Sequence, residues 1–334
     1  MADRRPVLIG LAIFAGLVVA LLVFRQSATW RWVQAFTAGR DAIKLQHYLE
    51  AERVLRQALN LSQHPSHQAA TRVALGEVLH RLGRLAEAEP HLRESTKMLE
   101  ECHPEGHFEI ARAYSLRGEL ELDRGQYAGA QRCFQHALAE DEKIANEARM
   151  LFTMQRLTEA LLRQGNQNRA LDVVEQCSAL EDRFMRKLAE REGGGHFIMM
   201  TLPDLRFCQG EWADACRLYR EKVEHFERLT GDVPGIDVGQ YQLRLAAASE
   251  QTGDAATAAV MCRRAAETYR RAFTDDHPRV GISLARLAGV LSRQGDTRQA
   301  ESALAEARDM LGRHGLAEHP ELAAAIGPVI ASGS

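Results

Sequence analysis

The sequence predicts an all-α protein: a solenoid of about seven helical hairpins, preceded by one apolar helix long enough to span a membrane. Three observations predict it. The pattern Gly-x-x-x-x-Ala recurs at Gly83/Ala88, Gly125/Ala130, Gly165/Ala170, Gly210/Ala215, Gly253/Ala258 and Gly295/Ala300, its glycines 42, 40, 45, 43 and 42 residues apart. Around these glycines apolar residues return at helical spacing. Residues 7–24, VLIGLAIFAGLVVALLVF, are an unbroken apolar run. Only nine prolines and 6% aromatic residues in 334 argue against a β-sandwich or barrel.

Residues 1–6 form a short basic N-terminus carrying Arg4 and Arg5. The run 7–24 makes about 27 Å of helix, against a hydrocarbon core of roughly 30 Å. Arg25 follows at once, then Trp30 and Trp32, whose ring type favours a headgroup interface; 25–31 therefore reads as an interfacial linker. A cleavable signal peptide is the rival reading. Its apolar part is normally shorter and ends in small residues, whereas Gln26-Ser27-Ala28 begins with a large one. The expectation is an uncleaved, single-pass membrane anchor. Arginines lie on both flanks, so the side of the membrane that holds the rest of the chain stays open. Ala12, Gly16 and Ala20 recur every fourth residue, a face on which two such helices can approach closely as a homodimer, although small residues are common in such helices and that plainer reading is the stronger.

The solenoid is expected over 32–316. In the stretch 70–99, Val73, Leu75, Leu79 and Leu82 recur before Gly83, and Leu85, Ala88, Leu92 and Ser95 recur after it. Gly83 suits a helix end that needs a left-handed residue. Ala88 lets two antiparallel helices pack closely, and Leu92 lies on the same face. The other units repeat this: Ala130/Phe134/Ala137, Ala170/Val174/Cys177, Ala258/Cys262/Ala265 and Ala300/Leu304/Ala307. A degenerate first unit spans 32–62, with Gln46 at the glycine position and Ala51, Leu55 and Ala58 after it. The fifth unit is irregular. Gly193-Gly194-Gly195 interrupts it, Pro203 falls within the expected first helix, and Lys222 replaces a small residue, which predicts a kink or mobile joint. The segment 317–334 reads as a tail, with a capping helix over 319–331.

With small residues at Gly39, Gly76, Gly118, Ala246 and Ala288 in the first helices, this pattern resembles the tetratricopeptide repeat (TPR) over roughly residues 32–316. The period of about 42 resembles the kinesin-light-chain-type variety. So do the pairs His64-Pro65, His103-Pro104, His277-Pro278 and His319-Pro320, read as unit openers because proline fits a first helical turn. The chain departs from that variety at Ala285-Arg286, where an Asn-Asn pair is usual, and no heptad coiled coil precedes the repeats. The resemblance implies a right-handed α-α superhelix whose first helices line a concave groove for an extended or helical partner segment. Projected onto this chain, the lining would include Arg40, Lys44, Glu77, His80, Arg81, Arg112, Glu119, Asp123, Glu159 and Arg163. The asparagines of the clamp that holds a chaperone's C-terminal carboxylate are missing. Arg81 and Arg112 remain candidates for bidentate pairing with a carboxylate.

Composition narrows the function. Hydrophobic residues make up 46% and charged residues 26%, the balance of a chain that folds. A net charge of −3 offers no basic field for nucleic acid. The six cysteines stand singly, without C-x-x-C. There is no H-E-x-x-H, P-loop, G-x-S-x-G or G-x-G-x-x-G, so no enzyme is expected, and no cofactor. Cys102, His103 and His107 carry metal-ligand chemistry, but the recurrence of His-Pro makes a structural role the better reading, and no metal is expected. Cys208 and Cys216 face each other across one hairpin in this reading, as a bridge or as buried apolar residues. The expected function is a membrane-anchored scaffold or adaptor that binds a protein or peptide in its groove and helps assemble or recruit a complex. The alternative is a regulatory sensor subunit whose ligand changes the solenoid's curvature around 193–203.

Overall fold

The structure, a computed structural model, describes residues 27–192, 201–231, 235–273 and 275–325. Its described residues form helices and turns, without strands. The first unit pairs α1 (Ala28–Lys44) with α2 (Tyr48–Leu61). Next come α3 (Pro65–Arg81) with α4 (Leu85–Cys102), and α5 (Phe108–Asp123) with α6 (Tyr127–Lys143). The middle units are α7 (Glu147–Arg163) with α8 (Gln167–Glu192), and α9 (Leu202–Cys208) with α10 (Trp212–Thr230). The last are α11 (Ile236–Gln251) with α12 (Ala255–Ala272), and α13 (Pro278–Arg293) with α14 (Thr297–Arg313). Residues 320–325 are helical again. Each helix packs on the next, and the first helices of the N-terminal units also touch one another.

The counted residues explain each hairpin. All six turn glycines sit at φ between +73° and +79°, and Gln46 takes the same left-handed conformation at φ 60°. At Gly83 the turn closes with Gly83 N–H donating to His80 O and Arg84 N–H to Leu79 O, which satisfies two carbonyls of the helix end. Ala51, Ala88 and Ala130 are fully buried. A Cβ on Gly76 would stand 2.5 Å from Leu92, and one on Gly118 2.5 Å from Phe134. The small residue of the first helix thus receives the large residue four places after the alanine of the second.

Two helix starts differ from the expected ones. His103 is the C-cap of α4, and α5 opens later, with His107 Nδ1 accepting the Glu109 N–H. The rings of His103 and His107 stack 4.4 Å apart. Pro203 stands at the start of α9, which leaves that first helix only seven residues long. Residues 193–200, where a joint was expected, lie outside the described residues. All six cysteines are free, so Cys208 and Cys216 form no bridge.

The single-pass membrane location is corrected. Among the described residues no helix is long and apolar enough to cross a membrane. The described helices instead bury apolar residues on their neighbours and carry charged residues as well. Trp32, expected at a headgroup interface, is buried against the third helix: its Nε1 donates to Thr71 Oγ1 at 3.0 Å and its ring stacks on His67 at 3.7 Å. The run 7–24, with Ala12, Gly16 and Ala20, lies outside the described residues.

The stack turns back on itself. Pro278, at the start of α13, lies against Gly83, and Pro320, opening the last helical stretch, lies against Gly125. His277 Nε2 donates to the backbone oxygen of His80 at 3.1 Å, while its Nδ1 accepts the Arg279 N–H. These two bonds assign the neutral Nε2–H tautomer, and burial holds the imidazole well below its ordinary pKa. The helical starts of the last units therefore dock on the hairpin turns of the second and third units. The concave face closes around the superhelix axis.

Candidate functional site

Closure leaves a cavity of about 320 Å³ on the axis. Its charged lining comes from α5, α7, α11 and α13: Glu119, Asp123, Arg156, Glu159, Arg163, Arg244, Arg279 and Arg286, with His319 beside them. Its apolar lining includes Leu122, Leu162, Phe207, Trp212, Tyr219, Leu243 and Ile282. The short helix α9 and the start of α10 supply Phe207 and Trp212, whose rings meet edge to face 5.0 Å apart. Polar groups in such a place must be paired, because burial of an unpaired charge is costly.

The pairing runs between distant units. Arg279 Nε donates to both carboxylate oxygens of Asp123 at 2.9 Å, and its Nη2 donates to Glu119 at 3.3 Å. His80 Nε2 lies 2.7 Å from the second oxygen of Asp123. Arg163 and Arg286 both donate to Glu321. Glu159 pairs with Arg156 at 3.2 Å, Arg163 at 3.4 Å and Arg244 at 3.6 Å. Arg244 also donates to Asp204, which accepts the Tyr219 hydroxyl at 2.6 Å.

The carboxylates stay charged. Burial pushes the Glu159 carboxyl up, but Arg244, Arg163 and Arg156 outweigh it, and its pKa falls to about 2. Burial opposed by Arg286 and Arg163 brings Glu321 to about 2 as well. Asp123 lies well below the usual carboxylate range, held there against burial by Arg279 and His80. Burial lowers His319 to about 4, so this ring is neutral. Its Nδ1 accepts the Glu321 N–H at 3.2 Å, which leaves the proton on Nε2.

Three donors of the cavity lining lack partners. Arg156 Nε, Arg279 Nη1 and His319 Nε2 are buried and hydrogen-bond to no protein atom. Arg156 Nε stands 3.9 Å from Glu119, beyond hydrogen-bond reach. The three residues are only 5%, 6% and 2% exposed, and all three line the cavity. The arrangement suits an acceptor-rich guest with an apolar part.

Residues 35–101 and 237–313 match the tetratricopeptide repeat family. Those two segments are similar to tetratricopeptide repeats. Solved structures share the fold. RapI in its apo form superposes with a TM-score of 0.59 at 15% identity, over 80% of this chain and 93% of that one. Aspartyl phosphate phosphatase F from Bacillus subtilis does so at 0.57 and 14%, over 88% and 73%. A signal-transduction ATPase with a tetratricopeptide repeat sensor from Pyrococcus horikoshii reaches 0.50 at 14%, over 93% and 48%. No protein of curated function matches the chain.

The TPR-projected groove residues fall in four places. Glu119, Asp123, Glu159 and Arg163 line the cavity, and His80 contacts Asp123 from behind. Arg40, Glu77 and Arg112 form a separate cluster. Glu77 lies 3.7 Å from Arg40 and pairs with Arg112, whose other partner is Glu109. Arg112 is therefore already engaged. Arg81 stands over the Phe273 ring at 5.9 Å with Nη1 unpartnered. Lys44 is exposed and pairs with Asp41.

Sequence reasoning missed Arg156, Arg244, Arg279, Arg286, Asp204, Glu321 and His319. Two signals pointed to them. Arg156, Arg244 and Arg286 each stand nine residues before a turn glycine, at Gly165, Gly253 and Gly295. Asp204, Arg279 and Glu321 each follow a helix-opening proline directly. Both registers face the axis once the stack closes.

Proposed function

We propose that this TPR solenoid is a non-catalytic regulatory receptor for a segment of a protein or peptide, taken up at the axial cavity. One observation carries the reading: the concave face is closed on itself by buried ion pairs between units far apart in sequence. An adaptor's groove stands open to its partner. Here a partner's charged groups meet an axis already lined by the protein's own pairs at Glu119, Asp123, Glu159 and Glu321. Binding is thereby coupled to closure, which favours the sensor reading over the passive adaptor. This reading sets the change where the last units approach Gly83 and Gly125. The phosphatase activity in one neighbour's name is not carried over, because the likeness is one of fold and every carboxylate on the axis is engaged by an arginine.

The test is a random-peptide display screen on the full chain, with small-angle scattering of the protein alone and with the enriched peptide. The expected result is enrichment of acidic peptides and a changed radius of gyration on binding. No enrichment by a folded, closed protein would refute the receptor reading. Enrichment without any change of shape would return the protein to the adaptor class.

A further inference from the structure

Resting on that receptor reading, the geometry points to the chemical group that the axial cavity takes: an oxyanion, foremost a carboxylate, attached to an aromatic or aliphatic frame. Arg156 Nε, Arg279 Nη1 and His319 Nε2 are its anchors. Three buried N–H groups around one cavity, on residues each at least nine-tenths buried, amount to a set of unmet donors. Buried donors are nearly always paired, so an orphaned set in one place marks a missing acceptor. The missing acceptor is an oxyanion, since two of the donors are guanidinium groups, whose N–H fork matches carboxylate and phosphate oxygens. Those carboxylates do not serve the orphans. Asp123 accepts from Arg279 Nε and His80, and Glu159 is shared among three arginines.

The rest of the cavity describes the rest of the guest. Phe207, Trp212, Tyr219 and Leu243 supply an apolar wall from a different stretch of chain. A volume of about 320 Å³ lies at the small end of ligand sites. A charged end and one apolar side group fill it; a whole helix does not enter.

The experiment is calorimetric titration of the full chain with N-acetyl-phenylalanine, with its neutral amide and with phenyl phosphate. The acid is expected to bind, and the amide about ten- to a hundredfold more weakly, the worth of a charged hydrogen-bond acceptor. Arg156→Lys keeps the charge but loses Nε, and His319→Phe loses Nε2–H. Each should weaken the acid by about tenfold and leave the amide unchanged. Tighter binding of phenyl phosphate than of the acid would uphold the oxyanion pocket and name phosphate as its source. Equal binding of acid and amide would overturn the inference with no variant needed. So would binding of neither, and if peptides are still enriched in the display screen, the receptor reading outlives it.

Discussion

Replacing Arg279 with methionine tests whether ring closure is a separate event from hairpin folding. Arg279 is 6% exposed and bridges Asp123 and Glu119, which lie in a hairpin some 150 residues away in sequence. Methionine fills similar space but leaves Asp123 with His80 alone and Glu119 with Arg156 at 3.9 Å. Breaking a buried pair from one side costs about 3–5 kcal/mol, because the surviving charge loses its partner without regaining water. Opening the ring restores that water, so the cost falls on the closed state. It translates into an open population raised by roughly a hundred- to several thousandfold. Hydrogen exchange by mass spectrometry reads this directly. Amides at the docked edge, around Gly83 and the start of α13, should lose protection by about that factor, up to the limit set by unfolding of the hairpins. Amides within the α1–α2 hairpin, remote from the ring contact, should keep theirs. Uniform loss of protection along the chain would refute the reasoning, since closure would then be inseparable from folding. Unchanged protection at the docked edge would show that the bridge contributes nothing to closure.

Gly118→Val should destabilise the third unit by about 1–3 kcal/mol, because its Cβ would meet Phe134 at 2.5 Å; chemical denaturation measures the loss, and adding Phe134→Leu should recover part of it. Gly125→Ala and Gly165→Ala carry the same backbone cost of about 1–2 kcal/mol, both glycines having φ +73°, but only at Gly125 does a Cβ collide with Pro320; equal melting temperatures for the two variants would contradict docking of the last helix on the third hairpin. Acid should open the ring. His319 titrates at about 4 in the fold against 6.5 unfolded, so the unfolded form holds more protons between these values; stability is full above about 6.5 and is lost as pH falls towards 4. Glu159 and Glu321, at about 2 in the fold against an ordinary 4.5, lose their share only as pH falls from about 4.5 towards 2. Scattering from pH 7 to pH 4 should show expansion, and a radius unchanged to pH 4 would count against a buried neutral His319.

The hairpins were legible because each is decided locally. A left-handed residue every forty-odd positions, an alanine five later and an apolar residue four beyond that are sufficient to set the turn and pack the pair. Even Gln46, with a side chain where the others have none, takes the turn at φ 60° because the surrounding residues demand it. What was not legible is the closure. It depends on the summed rotation between successive units, a small angle that no single residue encodes. Arg279 reads as an ordinary solvated charge at the start of a helix until Asp123 is brought within 2.9 Å of it. The register was in the sequence all the same, with arginines nine before three turn glycines and charges directly after three opening prolines. It became meaningful only once the axis was known. The same ignorance made Arg112 look free to hold a ligand, although Glu77 and Glu109 engage it.

Closure by buried charge is a costly way to hold two ends together. Ion pairs taken out of water roughly break even, and well-packed apolar residues in their place are often more stabilising. A solenoid selected only for rigidity would therefore bring leucines to the axis, as it does inside each hairpin. Charged contacts have a property that leucines lack: they can be exchanged one for one with those of a guest. A carboxylate that enters replaces an internal carboxylate without stranding an arginine, so the net cost of opening falls when the guest is present and stays high when it is absent. The three unmet donors sharpen this difference, since they gain a partner only in the occupied state. On the proposed receptor reading, the axial network is thus better suited to switching than to bracing.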